Sequence, residues 1–371
     1  MLGCEDEACC LWVRAKNELV TPMRDPQGSL PRVPRAFGMT SDYDFPRWDA
    51  NGAEFCARIE KVRSPIKIVL KTKNDPLFIE RWITHHMKIV GPENLIIFDN
   101  MSDDPGVLSV YRKYRDRIDL VRFADRHYNL HHTYLYRDFY RSLAKSSEYF
   151  IFLDTDEYLI LIDNDTYHGD DRILTFVMDN RNYDLFPSTW LWNVNWNPAQ
   201  FTCGTEPADL AENLACGKPL IRSDKIPTGY VNHNFQLSAR MFAPPFRTNL
   251  FLLHLAHLFP RRRISLNVDK LIVEGVVQPG ESPETIARRN DITDEVMAGY
   301  VREIRDLLAL DGRKDLGNAA LGAGSLELSP NGTISYYSDA ERKAVNEFIV
   351  DPKPAYDLIA DHYRLSAVPG A

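Results

Sequence analysis

The sequence predicts an α/β protein built on a mostly parallel, doubly wound sheet. Four short apolar runs rich in β-formers, at residues 66–71, 94–98, 118–123 and 149–153, alternate with amphipathic segments at helical spacing. Polar or acidic loops follow three of these runs, at Asn74, Asp99 and Asp154, as a ligand crevice along the carboxyl edge of such a sheet requires. With 371 residues, 44% of them hydrophobic and 26% charged, the chain is long enough for one large or two modest domains with a real core.

Taken in order, residues 1–64 read as an irregular N-terminal extension, punctuated by Pro22, Pro26, Pro31, Pro34 and Pro46. The main domain then spans residues 65–280. Its first strand, 66–71, leads to Lys73, Asn74 and Asp75. Pro76 opens a helix on which Phe78, Ile79, Trp82, Ile83 and His86 recur at helical spacing. Residues 107–114 and 131–144 read as the next two helices. The run 149–153 is too short for a globular helix and reads as a buried central strand. It passes directly into Asp154, Asp156 and Glu157. Alternation puts Trp190, Trp192 and Trp196 on one face, either as core or as a platform for a sugar. Residues 198–217 read as loop, and 251–255 and 264–268 as short strands, which leaves His257 in a connection. Residues 281–371 read as mostly helical: a cap at Ser282, a helix over 286–308, a flexible link over 312–324 and a closing helix over 340–349.

Composition excludes several classes. A net charge of −8 and a pI near 5.7 argue against a general nucleic-acid binder. No window approaches the roughly 20 apolar residues of a transmembrane helix. Glu5, Asp6 and Glu7 stand where a signal peptide needs basic and then apolar residues, so the expected location is the cytoplasm, or the membrane periphery. The six cysteines are scattered, as thiols would be. No Gly-rich fingerprint follows any strand, which disfavours dinucleotide and Walker-type binding.

The acids after residue 153 carry the chemistry. Three carboxylates against a hydrophobic strand repel one another without a counter-cation. Hard oxygen ligands favour Mg²⁺ or Mn²⁺, ions that leave positions open for substrate phosphates. The plainer alternative is that Asp154 and Asp156 cap a turn.

These residues resemble a family. The segment from Leu70 to Asp75, followed by Trp82 and His86, resembles the opening "K-N-E … E-W … H-H" pattern of bacterial family-2-like glycosyltransferases. The segment from Phe98 to Asp103 resembles their D-N-x-S-x-D loop, and that from Phe152 to Leu159 their D-x-D metal motif. The segment from His257 to Lys270 resembles a late H-x-P-x-R-S element. The likeness covers roughly residues 66–275 in order; Asp75 replaces the usual Glu, and the late element is one residue longer before its proline. It implies a GT-A fold, with a Rossmann-like nucleotide half, an acceptor-binding half and a helical C-terminal extension. The implied activity is transfer of a sugar from a nucleotide-diphosphate donor to the hydroxyl of a carbohydrate or glycoconjugate acceptor, commonly with inversion, in bacterial polysaccharide or glycoconjugate synthesis. Asp99 is then expected at the donor's base or ribose, with Lys73 and Asn74 beside it. Asp154, Asp156 and His257 are expected to hold Mn²⁺ or Mg²⁺, with His254 as the alternative histidine. Arg137, Arg262 and Arg263 are candidates for the diphosphate. Inversion needs a general base, for which Asp209 and Glu212 are the candidates. Two other readings compete: a D-x-D phosphohydrolase with Asp154 as nucleophile, and a non-catalytic sugar- or nucleotide-binding module.

Overall fold

The structure, a computed structural model, describes residues 45–194, 197–229, 231–234, 248–311 and 326–363. Residues 46–260 and the described residues from 326 onward form one compact unit, whereas residues 261–311 belong to another.

Helix α1 (Trp48–Lys61) lies inside the stretch expected to be irregular. Its buried Phe55, Cys56 and Ile59 recur at helical spacing, and Trp48 and Phe55 pack on Phe98 of the sheet. The chain then alternates as expected. It runs through β1 (Ser64–Thr72), α2 (Ile79–Val90), β2 (Leu95–Asp99), α3 (Pro105–Tyr114), β3 (Asp119–Arg122), α4 (Arg137–Ser146) and β4 (Ser147–Leu153). Every residue of β2 is buried, as in a strand covered on both faces. Helix α2 buries Ile79, Trp82, Ile83, His86, Ile89 and Val90 and stops at Gly91, whose φ of 79° suits glycine. The third helix begins later than the sequence pattern predicts. His127–His131 forms a 3₁₀ turn, and α4 starts only at Arg137.

Beyond β4 come β5 (Glu157–Asp163), β6 (Thr166–His168), α5 (Arg172–Asp179), β7 (Leu185–Pro187), β8 (Thr189–Asn193), β9 (Gln200–Thr202), α6 (Pro207–Cys216), β10 (Pro219–Arg222) and β11 (Leu250–His254). Strand β9 and helix α6 replace the loop expected over 198–217. The first sheet has the order β3-β2-β1-β4-β10-β7. Strands β1 to β4 are parallel, and β10 joins β4 antiparallel. The chain builds outward from β1 through β2 to β3, then returns to the other side of β1 as β4. The switch point of the sheet therefore lies between the carboxyl ends of β1 and β4.

In the second unit, α7 (Pro260–Val273) absorbs the strand expected over 264–268. Its buried residues, Ile264, Asn267 and Leu271, are spaced for a helix; the alternation of Ile264, Leu266 and Val268 mimicked a strand. A short α8 (Pro283–Ile286), capped by Ser282, precedes α9 (Glu295–Asp311), so the helix expected over 286–308 is interrupted. The link expected over 312–324 lies outside the described residues, as does Trp196.

The remaining elements return to the first unit: β12 (Leu326–Leu328), β13 (Ile334–Tyr336), α10 (Asp339–Val350) and α11 (Lys353–Tyr363). The β12–β13 hairpin completes a second sheet, ordered β13-β12-β9-β8-β11-β5-β6. Among the described residues no helix is long and apolar enough to cross a membrane.

Candidate active site at the carboxyl edge of the parallel sheet

Three loops leave the carboxyl edge of the sheet, and side chains staple them together. Asn74, after β1, adopts a left-handed φ of 48°, as does Met101 after β2 with 58°. The Asn74 carbonyl accepts from the backbone N–H groups of Asp103 and Asp104 at 2.9 and 3.0 Å, and its amide donates to Asp103 Oδ1 at 2.7 Å. Asp99 is fully buried. Its carboxylate accepts from Ser102 N, Ser102 Oγ, Tyr111 Oη and Arg122 Nε. Asp104 caps α3. The D-N-x-S-x-D stretch thus builds a rigid loop, with Asp99 at its root. Thr155, in the turn after β4, donates to Asp75 in the loop after β1.

Helix α2 is pinned to β5 by two adjacent histidines. His85 Nε2 reaches the Leu159 carbonyl at 2.8 Å, and His86 Nε2 accepts from Leu159 N at 3.3 Å. Burial pushes the His85 imidazole down to about 4 and His86 well below its ordinary value, so both are neutral near pH 7.

The acidic turn lies between β4 and β5. Asp154 is 43% exposed, and its Oδ2 accepts from the Lys218 ammonium at 2.9 Å. Glu157 is wholly buried: its carboxylate accepts from Asp154 N and from Trp190 Nε1, 2.9 and 2.8 Å away, and lies 3.8 Å from Lys218 Nζ. Burial opposes ionisation of both acids. Lys218 and then Lys71 nevertheless hold Asp154 well below the usual carboxylate range. For Glu157 burial wins, with Asp154 adding repulsion, and its carboxyl rises to about 8. Of the two acids, Asp154 is therefore the one that ionises first.

The partners of the turn come from four elements. Lys71 ends β1, buried, and donates to His131 Nε2 at 2.8 Å. Burial, then Lys71 and Lys218, keep His131 neutral. On the other side, His254 at the end of β11 brings its Nε2 to 3.8 Å from Asp156 Oδ2. Its ring packs between Trp190 and Trp192, at 4.4 Å from each. The two tryptophans do share a face, and they frame a histidine and support Glu157. His257 lies in the connection after β11, as expected, and stacks on Trp192 at 5.2 Å.

The other candidates are more scattered. Lys73 and Arg137 are exposed, at the β1 loop and the start of α4. Asp209 and Glu212 lie on α6, not in a loop. Burial raises the Asp209 carboxyl above its ordinary value. That helix meets the aromatic cluster through Asn213, whose Oδ1 accepts from Trp192 Nε1 at 2.7 Å. In the other unit, Arg263 forms a two-pronged pair with Glu303, and Arg262 belongs to the same helix.

The donor set can be tested against the divalent ion that the resemblance implies. Among the described residues, no three His, Cys, Asp or Glu side chains converge as metal ligands. The carboxylate expected to lead the coordination is bonded to an ammonium instead. As arranged, the residues do not fit a protein-held ion.

Sequence reasoning missed Lys71, His131, Lys218 and Asn232, whose Oδ1 accepts from the Lys218 ammonium at 3.0 Å. Lys71 sits two residues before the Lys-Asn pair that drew attention, and Lys218 is a single lysine between Gly217 and Pro219 with no motif around it.

No family model matches the chain, and no curated protein matches it. Among solved structures the chain is similar to residues 1–349 of S. aureus TarS, at 13% identity and a TM-score of 0.30, covering 68% of this chain and 75% of that one. A longer S. aureus TarS structure gives 14% identity and a TM-score of 0.31, with 60% of this chain and 41% of that chain covered. The glucosyl-3-phosphoglycerate synthase of Mycobacterium tuberculosis gives 15% identity and a TM-score of 0.28, covering 77% and 90%.

Proposed function

We propose that the chain is a nucleotide-sugar-dependent glycosyltransferase of GT-A type that moves a sugar from a nucleoside diphosphate to an acceptor hydroxyl, with inversion. One observation carries the reading: the acidic turn, with two buried lysines around it, stands at the switch point between β1 and β4. Open α/β sheets bind their ligands at this edge. The stapled loops after β1 and β2 offer a rigid wall for the base and ribose, with Lys73, Asn74 and the Asp99 loop on that side. A departing diphosphate gathers negative charge, and the buried Lys71 ammonium, hydrogen-bonded to the His131 imidazole, is the cation assigned to oppose it. The aromatic face of the second sheet is assigned to the acceptor, with Asp209 or Glu212 on α6 as the base that takes its proton. The resemblance implies Mn²⁺ or Mg²⁺ at Asp154 and Asp156, but with Lys218 bonded to Asp154 these residues are not arranged to hold one.

Calorimetry with a panel of nucleoside diphosphates, with and without Mn²⁺, tests the reading. At least one is expected to bind at or below millimolar concentration and to compete with its sugar nucleotide in a hydrolysis assay. Absence of binding by every member, in both conditions, sinks it.

A further inference from the structure

Lys218 stands where a counter-ion is needed, and the topology puts it there. Strand β10 runs antiparallel to β4. The residue just before β10 therefore lies beside the residue just after β4, which is Asp154. The backbone at this point is tightly fixed. The Lys218 carbonyl accepts from Ser188 N and Ser188 Oγ at 3.1 and 2.5 Å, and the Gly217 carbonyl accepts from Asn234 N at 2.9 Å. The side chain is 1% exposed, and its ammonium donates to Asp154 Oδ2 at 2.9 Å and to Asn232 Oδ1 at 3.0 Å. Asp154 is thus held from behind by Lys218 while remaining partly open to solvent.

We propose that Lys218 is the resident counter-cation of the acidic turn, a positioning residue that neutralises Asp154 and keeps the free protein from taking up a divalent ion there. The charge balance supports this. A buried ammonium and a carboxylate at hydrogen-bond distance satisfy each other, and a metal ion that displaced the lysine would leave a buried ammonium without its anion. Loss of the lysine reverses the situation: Asp154 loses the ammonium hydrogen-bonded to it and is left, with Asp156, as a hard oxygen ligand of the kind that draws Mn²⁺ or Mg²⁺. The proposal rests on the donor-site reading only for its consequence, that any ion in catalysis arrives with the diphosphate.

The test is a calorimetric titration of Mn²⁺ into the full chain without nucleotide, so that failure of the donor-site reading leaves it intact. Wild type and Lys218→Arg are expected to bind no tighter than millimolar. Lys218→Met is expected to bind one ion at least about ten-fold tighter, a ligand-scale change. Adding Asp154→Asn to Lys218→Met is expected to abolish the gain. The proposal is overturned if folded Lys218→Met binds Mn²⁺ no tighter than wild type, or if the gain survives in the double variant. Should Lys218→Met not fold, Lys218→Met with Glu157→Gln removes a buried acid together with the ammonium. The same titration then decides between the same two outcomes.

Discussion

At the scale of single residues, the site is a set of charges whose partners are chosen to leave one carboxylate, that of Asp154, both ionised and accessible. Asp156 is the second acid of the turn, with its Oδ2 3.8 Å from the His254 imidazole. If it serves the transfer reaction, Asp156→Asn should lower turnover by at least about 100-fold while the circular dichroism melt stays that of wild type. Near-wild-type turnover at saturating donor would return Asp156 to a turn-capping role. Trp190 has a different function. Its indole N–H is one of two donors to the buried Glu157 carboxyl, so Trp190→Phe removes that hydrogen bond together with part of the ring packed on His254. A loss of about 1–3 kcal/mol in urea denaturation is expected, and an unchanged midpoint would contradict the assigned contact. The aspartates were legible in the sequence because they end an apolar strand. Lys218 was not, because its importance comes from strand pairing across 64 residues of chain.

At the scale of elements, the parallel strands were legible because their central residues are buried and read as short, mostly apolar runs. Some shorter elements were not. Helix α6 was hidden by the Pro and Gly residues around it, at positions 198, 204, 207 and 217, and the three-residue strands β12 and β13 have too short a pattern to detect. The junction between α6 and β10 is the most constrained of these elements. A Cβ on Gly217 would meet the Ser188 carbonyl oxygen at 1.8 Å, a contact with backbone that no rotamer change relieves. Gly217→Ala should therefore cost about 3 kcal/mol or more and, by displacing the start of β10, should also disturb Lys218. Thermal denaturation checks the first effect; a wild-type melt would show that Gly217 and the Ser188 carbonyl are less closely packed than described.

At the scale of the whole molecule, stability depends on imidazoles kept neutral in the interior. His85 is lowered to about 4, and His86 and His131 lie well below their ordinary value, all chiefly through burial. In the unfolded chain they titrate near pH 6.5. Below that pH the unfolded state binds more protons, so their contribution is complete above about 6.5 and is lost as the pH falls toward 4. Glu157 works in the opposite sense: its raised carboxyl favours the fold at low pH and loses that advantage as the pH rises toward 8. His86→Gln isolates one imidazole. Between pH 5 and 6.5 the slope of unfolding free energy against pH should fall by about 1.4 kcal/mol per unit relative to wild type. Parallel slopes would mean that His86 is protonated in the folded protein.

The pairing of Asp154 with Lys218 also has a consequence for synthesis. Domains assemble largely as the chain leaves the ribosome, N-terminal parts first. All four parallel strands are complete by residue 153, but the ammonium that balances the turn arrives 64 residues later in the pair. Until then Asp154, which stays partly open to solvent, lacks its hydrogen-bonded ammonium, and the buried Glu157 lacks the positive charge that lies 3.8 Å from it in the finished fold. The last parallel strand should therefore dock late, only after β10 has been translated, and the nascent sheet should present an open edge to chaperones in the interval.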